Sequence, residues 1–200
     1  SKIYTPTGNK NDGEWVYESG TGQKIRGDND PNDSEADAVI NINTDYIDEF
    51  DFDRSFSGNE RFNATDVMMH EFGHALGFST FDSEKHGKNT SQDTVYDTMV
   101  ESSNGEYWFT GTNAVTANGG NDVELAADNG KGLGNQIAHI SEDVFGDALM
   151  TPEAPAQQPA ELSPVGRGII EDLGFQTHDD APAMSGTDAG FFALSAPTGD

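Results

Sequence analysis

Apolar positions are sparse along this chain, and the places where they recur with a period mark its elements. In Ala38-Val-Ile-Asn-Ile-Asn43, Ile40 and Ile42 alternate with Asn41 and Asn43, which predicts a strand with one polar face. The Gly-, Asn- and Asp-rich residues 1–35 read as loops, with short strands expected at Trp15–Tyr17 and Lys24–Arg26. Asp45 to Asn63 is acidic and aromatic without a period and reads as loop. The clearest helix is expected over Asn63–Gly77. Asn63 or Thr65 can cap its start, Asp66 suits the positive N-terminal end, and Gly77 is a natural stop. From Phe78 to about Asn135, Gly, Asn, Ser and Thr dominate, which predicts a long irregular region with a few short strands such as Tyr107–Phe109. A second helix is expected with Ser163 as its cap, Pro164 at its first position and Gly174 at its end; Ile169, Ile170 and Leu173 form its buried stripe. Beyond Phe175 the chain turns to Asp, Ala, Pro, Gly and Ser, a linker or frayed tail. No internal repeat is visible.

Composition narrows the class. Two hundred residues, 34% of them hydrophobic, suit one globular unit or two lobes around a cleft. Against 10 basic residues stand 36 acidic ones, a net charge of −26. Such a surface repels phosphate backbones and anionic lipid, so no nucleic-acid or membrane partner is expected. No apolar run reaches the roughly 18 residues that span a bilayer. The carboxylates are spread along the whole chain, which favours solvation in a saline medium over calcium binding. With no cysteine, thiol catalysis, disulfides and Cys-ligated zinc are excluded. Ser1 opens a polar stretch without a signal peptide, so localisation has to come from elsewhere.

One motif carries chemistry. His70-Glu71-Phe72-Gly73-His74 sets two imidazoles four residues apart, which on a helix places both on one face within reach of one cation. With five His and fourteen Glu in the chain, the pattern is expected by chance only about 0.01 times. Glu71 lies about 100° round the helix, too far to be an equal ligand but able to reach a water on the open side. A zinc ion there acidifies that water, and Glu71 acts as the general base. Catalytic zinc ordinarily has a third protein ligand. Thr80, three residues past Gly77, is a poor one. His178 falls in the tail and His86 in a charged turn, whereas His139 sits among Ile137, Ala138 and Ile140 just before Phe145-Gly-Asp-Ala-Leu-Met-Thr-Pro152. The need for a third ligand and the segment that follows favour His139 over a packed core histidine.

Taken together, His70-Glu-x-x-His74-x-x-Gly77-Phe78, a long insertion, His139 and Leu149-Met150-Thr-Pro152 resemble the leishmanolysin family of metzincins. Tyr107-Trp-Phe-Thr-Gly-Thr-Asn-Ala114 and Leu162-Ser-Pro-Val with Glu171-Asp-Leu-Gly-Phe175 are similar to less specific phrases of that family, so the resemblance spans residues 37 to 175. It implies His70, His74 and His139 as zinc ligands, Glu71 as general base and Met150 as the methionine of a turn beneath the metal. Eukaryotic members are cysteine-rich and often membrane-anchored, and this chain looks like a compact microbial relative. Pro152 stands where some metzincins carry an assisting tyrosine, so no such residue is implied.

The fold expected is α+β: a two-lobed metzincin-like protease with a twisted sheet and the active-site helix, then an irregular C-terminal lobe with a closing helix. A single catalytic domain covers 1–178, with lobes at about 1–77 and 78–178, and 179–200 form an acidic linker or tail. The expected activity is endopeptidase cleavage of protein or peptide substrates, bound antiparallel to an edge strand, by a secreted monomer in a saline setting. Two alternatives stay open. One is another zinc peptidase class with Glu101 or Glu106 on a second helix as third ligand. The other is a non-enzymatic extracellular module with a structural metal. Asp28–Asp37 begins like a calcium loop but lacks the glycine and glutamate of an EF-hand, where Asp33 and Val39 stand. A solvated acidic loop is the better account of it. Asp93, Asp97, Asp122 and Asp128 are further candidates for a structural Ca2+.

Overall fold

In the computed structural model the described residues are 3–27, 30, 35–52, 61–81, 92–126, 136–153 and 160–177. The first strands, β1 (Tyr4–Asn11) and β2 (Glu14–Ser19), form an antiparallel hairpin in which Asn11 pairs with Glu14. Asp12 and Gly13 both take positive φ, the conformation that a two-residue turn between right-twisted strands requires. Further along the chain, β3 (Phe50–Asp51) and β4 (Phe62–Asn63) make a short parallel pair. Strand β5 (Gln92–Thr94) then returns to pair in parallel with β2, Trp15 opposite Gln92.

Two sequence expectations fail in this half. Lys24–Arg26 is not a strand. Residues Gly20–Ile25 form helix α1, because the Ser19 hydroxyl accepts from Gly22 N and small Gly20, Thr21 and Gly22 let the turn bury itself. Ala38–Asn43 is not a strand either. Its alternation is real, but among the described residues no other strand lies beside it, and Val39, Ile40 and Ile42 are exposed. Of Asp45–Asn63, expected as loop, residues 45–49 belong to a 3-10 helix, Thr44–Glu49, started by the Asn43 side chain accepting from Asp45 N, and residues 53–60 lie outside the described residues.

The metal-motif helix α2 spans Ala64–Leu76. Asn63 Oδ1 accepts from Thr65 N and Asp66 N, and Gly77 closes the helix at φ 115°, as the sequence predicts. Past it the chain is more regular than expected. Strands β6 (Val100–Ser103), β7 (Glu106–Phe109) and β8 (Val123–Glu124) make an antiparallel sheet, turned at Asn104-Gly105. Helix α3 (Thr112–Ala117), helix α4 (Glu142–Phe145) and helix α5 (Pro164–Asp172) complete the order. Ser163 caps α5 by accepting from Gly166 N, and Ile169, Ile170 and Leu173 are buried.

The core lies between the C-terminal half of α2, the β6–β8 sheet and α5. At its centre Tyr96 is stacked between Phe78 and Phe109, with both ring centroids 5.0 Å away. Helices α3 and α5 touch backbone to backbone. A Cβ on Gly168 would meet Ala114 Cα at 2.6 Å, so only glycine fits. The Asp172 carboxylate accepts from Asn113 N and Ala114 N at the start of α3. Arg26 ties the end of α1 to the end of α5, donating to Leu173 O, pairing with Glu18 and lying over the Phe175 ring. The result is a mixed α/β architecture with separate sheets and helices, in line with an α+β class.

Candidate metal centre

Helix α2 places His70 and His74 one turn apart, facing inward, and the segment between β8 and α4 delivers His139 to the same point. The three imidazole centroids stand 4.7, 4.9 and 5.1 Å apart, nearly an equilateral triangle. Their Nε2 atoms point inward: His70 Nε2 is 3.0 Å from His74 Nε2 and 3.1 Å from His139 Nε2. His139 is 9% exposed, and the two α2 histidines are half-buried.

The outer nitrogens settle the tautomers of the α2 pair. His70 Nδ1 donates to Leu149 O at 2.6 Å, and His74 Nδ1 donates to Phe78 O at 2.7 Å. A carbonyl can only accept, so both hydrogens sit on Nδ1 and both Nε2 lone pairs face inward. Two bare nitrogens 3.0 Å apart repel each other unless a cation lies between them. A tetrahedral zinc with Zn–N of about 2.0–2.1 Å would hold its nitrogens about 3.3 Å apart, close to the spacing seen. The donor set therefore fits a borderline-soft divalent metal. Burial lowers the His74 pKa, partly opposed by its bond to Phe78 O, so the ring is neutral and ready to bind.

The turn that follows braces the site. Met150 is 1% exposed and packs on α2 between the two histidines. A Cβ on Gly73 would lie 2.6 Å from its Sδ, so a larger residue there would push the methionine off the helix. Meanwhile Met150 O accepts from Ile140 N at 3.0 Å and His139 O accepts from Ala126 N at 2.9 Å. The buried Tyr96 hydroxyl donates to Ile137 O at 2.8 Å. Burial raises the Tyr96 pKa well above its usual value, so it stays a donor. Gly73, Tyr96 and the carbonyls of Phe78 and Leu149 shape this site and are positions that sequence reasoning missed. Only Gly73 left a trace, as an unusual glycine inside a helix.

The remaining candidates lie elsewhere. Among the described residues, His70, His74 and His139 are the one group of three or more His, Asp or Glu whose ligand atoms come within 4.8 Å of one another. Glu101 and Glu106 are exposed on strands β6 and β7, not on a second helix. Thr80 bonds to Asp97, whose carboxylate also accepts from Thr94 and Phe81 N. Asp93 accepts from Asn11, and Asp122 contributes a backbone carbonyl to Asn118. His86, His178, Asp128 and most of Asp28–Asp37 lie outside the described residues. Of that loop, Asp30 and Asp37 both hold the Lys24 ammonium, at 2.8 and 3.0 Å. Glu71, the expected base, is exposed and lines an open groove along the N-terminal half of α2. No family model, curated protein or solved structure matches the chain.

Proposed function

We propose that this chain is a metal-dependent hydrolase and, within that class, a zinc endopeptidase similar to the leishmanolysin-type metzincins. The observation that carries the proposal is the meeting of three Nε2 atoms, one of them 69 residues downstream of His70, beside an exposed glutamate. Three ligands among the described residues leave room for water and substrate, which separates a catalytic site from a closed structural one.

Zinc held by His70, His74 and His139 would supply a Lewis acid that polarises the scissile carbonyl and acidifies water. The Glu71 carboxylate takes a proton from the attacking water and passes it to the leaving amine. Leu149 and Phe78 fix the ring orientations of His70 and His74, so neither has to reorganise. Met150 forms the floor of the site and does no chemistry. The substrate is a protein or peptide, and a secreted setting, with salt screening the net charge of −26, suits the surface. No helix among the described residues is long and apolar enough to cross a membrane.

The test is metal analysis joined to proteolysis. Purified protein should hold one zinc, cleave casein, lose cleavage to a chelator and regain it on adding zinc. Glu71→Gln should keep the zinc and lose at least about 100-fold in rate. A protein without transition metal, or a Glu71→Gln variant at full rate, would overturn the proposal.

A further inference from the structure

Two supports of the histidine cluster meet beside a buried carboxylate that the proposed chemistry does not use. Phe78 O orients His74, and the Tyr96 hydroxyl holds Ile137 O, two residues before His139. The Phe78 and Tyr96 rings pack on each other with centroids 5.0 Å apart, so one does not move without the other. Asp97 follows Tyr96 and grips the segment that follows Phe78. Its Oδ2 accepts from Phe81 N at 3.1 Å, and its side chain also bonds to Thr80. From β5 the same oxygen accepts Thr94 N at 2.8 Å. Thr94 Oγ1 bridges it to Ser79 O, 2.9 Å from the first and 2.8 Å from the second, and takes Asp97 N at 3.0 Å. Residues 79, 80 and 81 are thus clasped in succession by one Asp–Thr pair, and Thr94 is only 1% exposed.

Among the described residues the donors around Asp97 are all uncharged, two backbone N–H groups and two hydroxyls. Tyr4 and Tyr96, the titratable groups that feel its charge, are kept neutral by their own burial. Burial accordingly pushes the Asp97 carboxyl above its usual range, against the pull of its hydrogen bonds. A buried carboxylate without a cation is costly, and a neutral side chain would be the cheaper filler. What only the carboxylate offers is acceptors alone; an asparagine has one acceptor oxygen and would turn an NH2 group toward the remaining donors. We propose that Asp97 is a positioning residue of the metal centre: through residues 79–81 it fixes the Phe78 carbonyl that orients His74, and through the adjoining Tyr96 it fixes the approach of His139. The inference rests on the metal-dependent function above and adds a residue that touches neither metal nor substrate. Without the clasp the three imidazoles are still present, but two of them are free to turn, so a metal binds more weakly and in a less regular geometry.

The experiment compares native protein with Asp97→Asn and with Thr94→Val, which keeps the shape of threonine and removes the bridging hydroxyl. Each is stripped with chelator and read in three ways. Zinc affinity comes from competition with a chromogenic chelator, coordination geometry from the visible absorption bands of the Co2+-loaded protein, and stability from urea unfolding of the stripped chain. Gly168→Ala, which disturbs the contact between α3 and α5 and none of the histidines, is the control for a loss of stability alone. Asp97→Asn should weaken zinc by about tenfold or more and change the position or intensity of the cobalt bands. Thr94→Val should act in the same direction by a smaller factor, and Gly168→Ala should leave both metal readouts at the native values. An Asp97→Asn variant that loses stability as the control does, yet keeps native zinc affinity and cobalt bands, would make the clasp purely structural and overturn the inference, with the peptidase left standing. If Asp97→Asn does not fold, Thr94→Val decides by the same readouts. Native protein that binds zinc but leaves casein intact would sink the peptidase and leave the positioning role to stand or fall on the variants. Native protein that takes up neither zinc nor cobalt would sink both.

Discussion

Replacing His139 by alanine separates a three-histidine site from a two-histidine one, and its effect is best read as a change in zinc-induced stability. Zinc that binds only the folded chain stabilises it by RT ln(1 + [Zn]/Kd), about 2.7 kcal/mol at a concentration 100-fold above Kd. For a domain of this size each kcal/mol moves Tm by about 2–4 °C, so the native protein should gain about 5–11 °C. Alanine at 139 removes one of three nitrogens. A 100-fold loss of affinity would bring the same zinc concentration close to Kd, leaving about 0.4 kcal/mol and a rise of about 1–2 °C. The metal-free Tm is a poorer readout, because two effects oppose each other there. The truncation opens a cavity at a side chain only 9% exposed, but it also removes a nitrogen facing His70 Nε2 at 3.1 Å. Thermal unfolding by circular dichroism, with chelator-stripped protein titrated with zinc, measures the difference directly. If His139→Ala kept the full zinc-induced rise while His70→Ala lost it, the third ligand would be another group and the convergence of the rings incidental.

Three further outcomes follow from the same geometry. Tyr96→Phe leaves the buried Ile137 carbonyl without its hydroxyl donor, so urea unfolding should show a loss of about 1–3 kcal/mol. Zinc affinity, measured by competition with a chromogenic chelator, should also fall at least about tenfold, because that bond steadies the strand of chain carrying His139. Gly168→Ala places a methyl 2.6 Å from Ala114 Cα and should destabilise by about 1–3 kcal/mol in spite of alanine's better helix propensity; an unchanged midpoint would mean that α3 can slide. The folded metal-free chain holds the His74 proton less tightly than the unfolded chain, whose value is near 6.5. Between the two values the unfolded state binds more protons, so the stability His74 contributes is complete above about 6.5 and declines as pH falls through the lowered value. Unfolding midpoints of stripped protein across pH 5–8 check the slope, and His74→Ala should flatten it.

What could be read from the sequence was what short-range chemistry decides. Helix α2 announces itself because Asn63, Asp66 and Gly77 act within one turn of where they stand, and Ser163 with Pro164 does the same for α5. Ala38–Asn43 misleads because alternation signals only that two faces differ, whereas a strand also needs a neighbour with free backbone groups, and none lies beside it among the described residues. Helix α1 was overlooked although Ser19 is a good cap, since Gly20 and Gly22 argue against a helix unless tight packing rewards their small size. The β6–β8 sheet depends on pairings such as Trp108 with Glu124, between segments whose composition reads as loop.

The position of His139 shows the same division within the site. Nothing local points residue 139 at residue 70; three tethers on the backbone around its ring do. Tyr96 holds Ile137 O, Ala126 N holds His139 O, and Ile140 N reaches Met150 O, so the chain is pinned at the ligand and within two residues on either side. The last tether matters most, because the turn it reaches also packs Met150 on Gly73 and offers Leu149 O to His70. One turn thus sets both the ring orientation of a near ligand and the placement of the far one. A metal ion arriving at such a site would meet nitrogens already converged, with the ordering entropy of that segment lost during folding and not on binding. That is why a glycine inside the helix and a methionine with no chemistry of its own belong to the candidate metal centre as much as the histidines do.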